Sequence, residues 1–469
     1  MKKSKILTGA FILALGAFLT KILGALYRVP LTAYLKADGL GLYQMAFPAY
    51  SLLLDFSSAG VPNALAKKVS ENPNNANDYL FSAFKSFGLI SVISAILLAI
   101  FCKPLAIFCG DINAYPAFLF LAPAVLIVAF IACFRGYFQG KMLTFPTAIS
   151  QFLEQAFKFI AGVFLLKRLY TVKSKLAGAT IAVFIGEVFA LSFLAVTFII
   201  KNKGERISLF RYKTDKNLVK ALFKITFPIT VLTSIFPLTQ IIDSAIIIKG
   251  LKNINANGVA LYGLFSGVAL TVVNLPVSLC YGLSAVAVPA ISGGKDKSKT
   301  TGLIITTTFL VSLAFAFLAF LFAPLGIKII FPSLSVQNKR LAINLIRALT
   351  PYIVFASLLQ SVNATLIAKG KTFISVISCV IAVTIKVVLE VILFSVFKFN
   401  IYGAVIALNL CYFVACFLNL LYIKIYGNKE TQSRQLNNRK QPIFSANGRV
   451  YRLRVPLNLR KFRRRRNFY

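Results

Sequence analysis

Asp55, Glu154, Glu187, Asp243 and Glu390, with the bases Lys21, Arg28, Lys158, Lys386 and, nearer one surface, Arg347, stand inside otherwise apolar runs. An ionisable side chain at the centre of a hydrocarbon-embedded helix costs about 2.5–3.5 kcal/mol on insertion scales, so those that persist usually face protein or a wet cavity. Lys21 and Arg28 are seven residues apart, which at ~3.6 residues per turn puts both on one helix face, where they could grip one anion together. Glu154 with Lys158, and Lys386 with Glu390, are spaced i,i+4, so each pair could neutralise itself within its own helix. The alternative is that Lys158 and Lys386, equivalently placed in two halves of the chain, line opposite walls of a cavity and bind phosphate with Lys21 and Arg28. Gln151 shares the face of Glu154 and Lys158 and favours a polar lining there. Asp55, Asp243 and Glu187 have no obvious partner on their own helix. Together with Glu154 and Glu390 they are candidates for holding a coupling proton or sodium ion, or for bonding to packed neighbours.

Other chemistry is missing. The chain has no histidine for acid–base work, and no Gly-x-x-x-x-Gly-Lys-Ser/Thr phosphate loop. Gly370-Lys371-Thr372 comes near, but Thr365 stands where the first glycine of such a loop belongs. No paired acidic motif that would hold a metal on a nucleotide-sugar is present. Seven cysteines (Cys102, Cys109, Cys133, Cys280, Cys379, Cys411, Cys416) are scattered without close metal spacing and read as small packing residues. A carrier is expected rather than an enzyme, with no cofactor and no metal.

The elements that must position these charges are membrane helices. Apolar residues make up 58% of the chain and the mean hydropathy is +0.79, beyond what a water-facing surface tolerates. About twelve stretches reach the ~20 apolar residues that a bilayer span needs, at roughly 6–34, 41–66, 81–107, 116–138, 145–167, 176–200, 222–248, 258–289, 301–331, 341–367, 373–397 and 400–426. A net charge of +39 would suit nucleic acid, yet its distribution follows topology instead. Lys2, Lys3 and Lys5, then Lys67 and Lys68, the central run from Lys201 to Lys220, Lys295 to Lys299, and Lys369 with Lys371 all fall on one side, which is the cytoplasm by the positive-inside rule. Both termini are then cytoplasmic and the chain is multi-pass in the plasma membrane. The loop with Lys167, Arg168, Lys173 and Lys175 breaks this pattern. A cleaved signal peptide is the competing reading of the N-terminus.

The apolar runs come in two like sets. Ala37-Asp38-Gly39-Leu40-Gly41-Leu42-Tyr43 returns 219 residues later as Ala256-Asn257-Gly258-Val259-Ala260-Leu261-Tyr262. Thr144-Phe145, Ser150 and Lys158 return 228 residues later as Thr372-Phe373, Ser378 and Lys386. These matches predict an all-α polytopic membrane protein of about twelve transmembrane helices, built as two parallel six-helix repeats around a central cavity. Residues 1–200 would form the first bundle, 201–221 a cytoplasmic linker, 222–426 the second bundle and 427–469 a basic, disordered cytoplasmic tail. The tail ends in Arg463-Arg464-Arg465-Arg466, which either reinforces topology or anchors to anionic lipid at about 1 kcal/mol per base.

Phe134-Arg135-Gly136-Tyr137-Phe138-Gln139-Gly140, followed by Pro146-Thr147-Ala148-Ile149-Ser150-Gln151 and Glu154-Gln155, resembles the signature of polysaccharide exporters similar to stage V sporulation protein B. Those belong to the multidrug/oligosaccharidyl-lipid/polysaccharide (MOP) exporter superfamily. Thr20-Lys21-Ile22-Leu23-Gly24, Gly41-Leu42-Tyr43 and Leu261-Tyr262-Gly263 also fit, and the resemblance covers about residues 6–426. It implies a MATE-like fold and a flippase for polyprenyl-diphosphate-linked saccharides, lipid II or a polysaccharide precursor, driven by an ion gradient or the membrane potential. In lipid II flippases of this superfamily, bases of the first helix grip the diphosphate, and Lys21 and Arg28 match them. Two departures are visible: Leu54-Asp55 stands where those flippases have a second-helix arginine, and the chain turns basic and polar where they have two further spans. Two rivals follow. A multidrug antiporter of the same superfamily would have a net acidic cavity, and a membrane glycan polymerase or ligase would have large outer loops.

Overall fold

The computed structural model describes residues 2–202, 216–254, 256–280, 297–439, 444–446 and 449–451. They fall into two compact units, Met1–Cys416 and Phe417–Tyr469.

Among its described residues the first unit consists of helices joined by short turns, with no strand. Helix α1 (Lys2–Ser58) is broken at Lys36, whose φ of 57° and ψ of −167° lie outside helical space. Such a conformation costs a non-glycine residue about 1–3 kcal/mol, and it divides α1 into two limbs. Helix α2 (Val61–Glu71) has a proline in its first turn, where no intrahelical N–H is needed. The expected stretch 41–66 is therefore split. Gly60, in the turn between α1 and α2, leaves room for close packing, since a Cβ there would lie 2.7 Å from Thr226 Cα. Then come α3 (Ala76–Ile100), α4 (Cys102–Cys109), α5 (Tyr115–Gly140), α6 (Phe145–Arg168) and α7 (Val172–Lys201), the last opened by a capping box of Thr171 and Ser174. Helix α8 (Lys216–Lys252) carries Pro228 and Pro237 inside it. Helix α9 (Gly258–Cys280) contains a π-helical stretch, Gly263–Ala269. The remainder are α10 (Lys297–Ile330), α11 (Val336–Ala348), α12 (Thr350–Ala368), α13 (Thr372–Ser395) and α14 (Tyr402–Arg439). The expected stretch 341–367 is two helices, because Pro351 starts a new one; Asn409 Nδ2 donates to the Ala348 carbonyl freed at the junction, at 3.0 Å.

Among the described residues, ten helices are long and apolar enough to cross a membrane. They correspond to the third to twelfth expected stretches, while the first falls on α1 and the second on α1 and α2, outside that set. Aromatic side chains fill the core of the first bundle: Phe84 on α3 meets Phe134 on α5 with ring centroids 4.9 Å apart, and Tyr137 on α5 meets Phe198 on α7 at 5.2 Å. Outward faces stay apolar, as at Leu313, Phe317 and Leu321 of α10, which suits hydrocarbon as the solvent. All seven cysteines are buried and unpaired, as packing residues should be.

The two copies of the repeated motif touch each other. Asn257 Nδ2 donates to Asp38 Oδ1 at 2.8 Å, and these residues are 219 positions apart, the spacing of the repeat itself. Residues related by a two-fold can contact their own mates only at the axis, so the pseudo-two-fold passes through this seam. Backbones come too close here for side chains. A Cβ on Gly41 would lie 2.1 Å from the Val259 carbonyl oxygen, and one on Gly263 would lie 2.3 Å from the Ala37 carbonyl oxygen. Gln44 Nε2 donates at 2.9 Å to the Ser266 carbonyl inside the π stretch of α9.

In the second unit, the end of α14 continues to Arg439, beyond the residue-427 start expected for a tail. A short antiparallel hairpin, β1 (Phe444–Ala446) with β2 (Arg449–Tyr451), sets Phe444 opposite Tyr451. Arg463–Arg466 and most of the central run, 203–215, lie outside the described residues.

Candidate functional site: a basic cleft between the two bundles

Lys21, Gly24, Ala25 and Arg28 follow one another at i, i+3, i+4 and i+7 and so form one face of α1. Thr271, Asn274, Leu275 and Ser278 repeat that spacing on α9, and the two faces meet across a cavity of about 270 Å³. Tyr27, Tyr43 and Phe47 from α1 and Lys158 from α6 complete it. The wall therefore holds three bases and no acid. Small residues at Gly24 and Ala25 keep the space open between the two charges of α1.

Among the described residues, Arg28 Nη1 and the buried Tyr27 hydroxyl find no hydrogen-bond partner, a state that costs about 1–3 kcal/mol per neutral group and more for a charged one. Lys158 Nζ lies 5.6 Å from the centroid of the Tyr27 ring and 5.8 Å from that of Phe47, within cation–π range. Among the described residues it forms no salt bridge. Its i−4 neighbour Glu154 is taken instead by Arg135 of α5, whose Nη2 lies 2.9 Å from Glu154 Oε2 while its Nε donates to Ser150 Oγ at 3.0 Å. Gln155 Nε2 donates to the other Glu154 oxygen at 3.1 Å. The expected Glu154–Lys158 pair thus gives way to a competitor from the preceding helix, whose planar guanidinium spends one N–H on Glu154 and another on Ser150.

Lys386 takes the opposite course. It does not line the cleft: it is 2% exposed and paired with Asp243 of α8 and with Glu390 at 3.0 Å. The within-helix pair expected for Lys386 and Glu390 is present, and Asp243, which had no partner on its own helix, finds one on α13. Of the other acids, Glu187 is 3% exposed and accepts from the Tyr50 hydroxyl. Its Oε2 has no hydrogen-bond partner among the described residues. Asp55 is half-buried where α1 passes α8, its backbone carbonyl 3.4 Å from Thr230 Oγ1. Gln151 is half-buried on α6 and does not line the cleft. Sequence reasoning missed Arg135 as the partner of Glu154, and the aromatic lining of Tyr27, Tyr43 and Phe47. Arg135 stood inside a recognised motif, whereas aromatic residues are too frequent here to signal a wall.

Residues 6–295 match the family model described as "Polysaccharide biosynthesis protein". The chain belongs to this family. Members from Bacillus subtilis (strain 168) that it resembles include stage V sporulation protein B, 30% identical over 313 residues covering 64% of this chain and 60% of that one. Lipid II flippase MurJ of the same organism is 27% identical over 463 residues, 90% of this chain and 83% of that one. The chain thus spans less than two thirds of the sporulation protein. Among solved structures, the fold matches an inward-facing MATE family transporter of the MOP superfamily with a TM-score of 0.72, at 17% identity over 88% of this chain and 95% of that one. It also matches lipid II flippase MurJ in an inward closed conformation with a TM-score of 0.69, at 16% identity over 88% and 87%. The chain is thus a member of the polysaccharide biosynthesis protein family with the fold of these MATE and MurJ structures, and its ten long apolar helices suit a multi-pass membrane protein.

Proposed function

We propose that this transporter flips polyprenyl-diphosphate-linked saccharides, lipid II or a polysaccharide precursor, across the bacterial plasma membrane by alternating access. The observation that carries the reading is the cleft between the bundles, in which Lys21, Arg28 and Lys158 face one another with no acid among them. A diphosphate supplies the charge and the acceptor oxygens that Arg28 Nη1 lacks. Beside the cleft, and sharing Lys21, Ala25 and Leu275 with it, an apolar groove of about 360 Å³ runs along Ile22, Leu26, Val29, Leu279, Ile329 and Ile330. The polyprenyl chain would lie there, in contact with lipid, while the head group occupies the basic cleft. With both termini cytoplasmic, the halves rock about the fixed site and the seam at Asp38–Asn257 opens to release the head group outward. Driving force comes from a proton or sodium gradient or from the membrane potential, at about 2.3 kcal/mol per unit charge per 100 mV. Anionic membrane lipids are the expected neighbours of the basic cytoplasmic face.

A multidrug antiporter for cations would need acids in the cleft, and three bases there disfavour it. A glycan polymerase is disfavoured by short outer connections such as the one between α4 and α5. The test is leaflet translocation of a labelled lipid-linked saccharide in vesicles reconstituted with the purified chain. Wild type translocates it and Lys21→Ala/Arg28→Ala does not, although the variant inserts normally; full activity in the double variant would refute the cationic grip.

A further inference from the structure

The two faces that meet across the basic cleft differ in what they offer a ligand. Lys21 and Arg28 on α1, and Lys158 on α6, have only N–H groups to give. The α9 face carries no charge, and its polar side chains are Thr271, Asn274 and Ser278. Thr271 Oγ1 donates to the Gly267 carbonyl at 2.8 Å, and Ser278 Oγ donates to the Asn274 carbonyl at 2.6 Å, each four residues back on its own helix. A hydroxyl has one hydrogen and two lone pairs, so with the hydrogen spent each oxygen meets a ligand as an acceptor.

Asn274, between them on the same face, is set the other way. Its Oδ1 accepts from the Tyr352 hydroxyl of α12 at 2.7 Å. The Tyr352 hydroxyl is itself hydrogen-bonded by that of Tyr412 on α14, whose ring stands edge-on to it with centroids 4.8 Å apart. Tyr352 is buried, whereas Asn274 is exposed. The tyrosines thus fix the carboxamide by its oxygen and leave its N–H groups as donors. The α9 face therefore presents one donor flanked by two acceptors, each one turn away.

Such a face does not suit a diphosphate. Esterified phosphate oxygens carry no hydrogen, so they would set lone pairs against those of Thr271 and Ser278. Sugar hydroxyls and acetamido groups both donate and accept. We propose that Thr271, Asn274 and Ser278 form the recognition site for the first sugar of the lipid-linked saccharide. The sugar donates to Thr271 Oγ1 and Ser278 Oγ and accepts from Asn274 Nδ2, while the diphosphate turns to Lys21 and Arg28. This assignment, which rests on the transport reading above, gives the cleft a polarity: anion on α1, neutral sugar on α9. Preference for glycosylated over bare carrier lipid follows, because a face built to hydrogen-bond a hydroxyl gains nothing from a ligand that lacks one.

The test is binding of two ligands to the purified full-length chain in detergent: a short-chain polyprenyl diphosphate, and the same diphosphate carrying one N-acetylhexosamine. Wild type should bind the glycosylated ligand about tenfold tighter, the value of one or two neutral hydrogen bonds. Thr271→Val/Ser278→Ala removes both acceptors and otherwise only bonds to the helix's own carbonyls. It should bring the ratio of affinities close to one, chiefly by weakening the glycosylated ligand. Tyr352→Phe, which keeps the cleft lining but frees the Asn274 amide to turn, should lower the ratio as well. A wild type that binds both ligands equally, a ratio that survives in both variants, or variants that lose the two ligands alike would overturn the sugar site and leave the cationic grip standing. Failure of wild type to bind either ligand would count against the transport reading itself, and the sugar site would fall with it.

Discussion

Lys158 and Lys386 hold the same place in the two repeats, 228 residues apart, and each has a glutamate one turn away on its own helix. One is left free and the other is caged. In the first bundle Arg135 reaches across from α5 and removes Glu154 from Lys158, which turns over the rings of Tyr27 and Phe47 into the cleft. In the second bundle the positions at the repeat spacings from Arg135 carry Gln360 and Asn363, so nothing of opposite sign competes for Glu390. Asp243 arrives from α8 instead, where the equivalent residue of the first bundle is Gly24. Duplication supplied the same lysine twice. Which neighbour carries the counter-charge decides whether it serves a ligand or the protein interior.

The largest expected effect breaks this contrast directly. Lys386→Met leaves two buried carboxylates without their cation and should lower stability by about 3–5 kcal/mol, whereas Lys158→Met should change it by less than about 1 kcal/mol. Denaturant unfolding in detergent would compare them, and equal losses would mean that the two lysines are not in different situations. Next, Arg28→Ala should weaken binding of a short-chain polyprenyl diphosphate by roughly 10- to 100-fold, the value of a charged hydrogen bond of about 1.5–3 kcal/mol. A Glu390→Gln control should bind it as wild type does. A smaller, several-fold loss of binding is expected from Arg135→Leu, because Glu154 is released to pair with Lys158; Arg135→Leu/Glu154→Gln should restore it, and failure to do so would show that Arg135 acts by packing alone. Smallest is Asp38→Ala at the exposed seam, where loss of one hydrogen bond should alter stability by no more than about 1 kcal/mol. A bigger loss would make that contact, rather than the glycine packing beside it, what holds the halves together.

Much of this was legible in the sequence. Hydropathy gave the spans from the third to the twelfth because hydrocarbon imposes a length and a composition on any helix that crosses it. The repeat marked Asp38 and Asn257 as equivalent places, but that they touch came only with the fold. Lys21 and Arg28 emerged from the 3.6-residue period and do share one wall. What spacing could not give was partner choice between helices. An i,i+4 pattern detects Glu154 beside Lys158, yet says nothing of Arg135, nineteen residues earlier in the chain and on another helix. The break at Lys36 was equally invisible, because neither glycine nor proline stands at it.

The most direct test of the central claim is a structure of the chain bound to a polyprenyl-diphosphate saccharide. The account predicts the diphosphate between α1 and α9, within hydrogen-bond distance of Arg28 and flanked by Lys21 and Lys158, with the lipid chain in the groove beside Leu26 and Leu279. A head group bound elsewhere, with Arg28 and Lys158 still unpartnered, would contradict it.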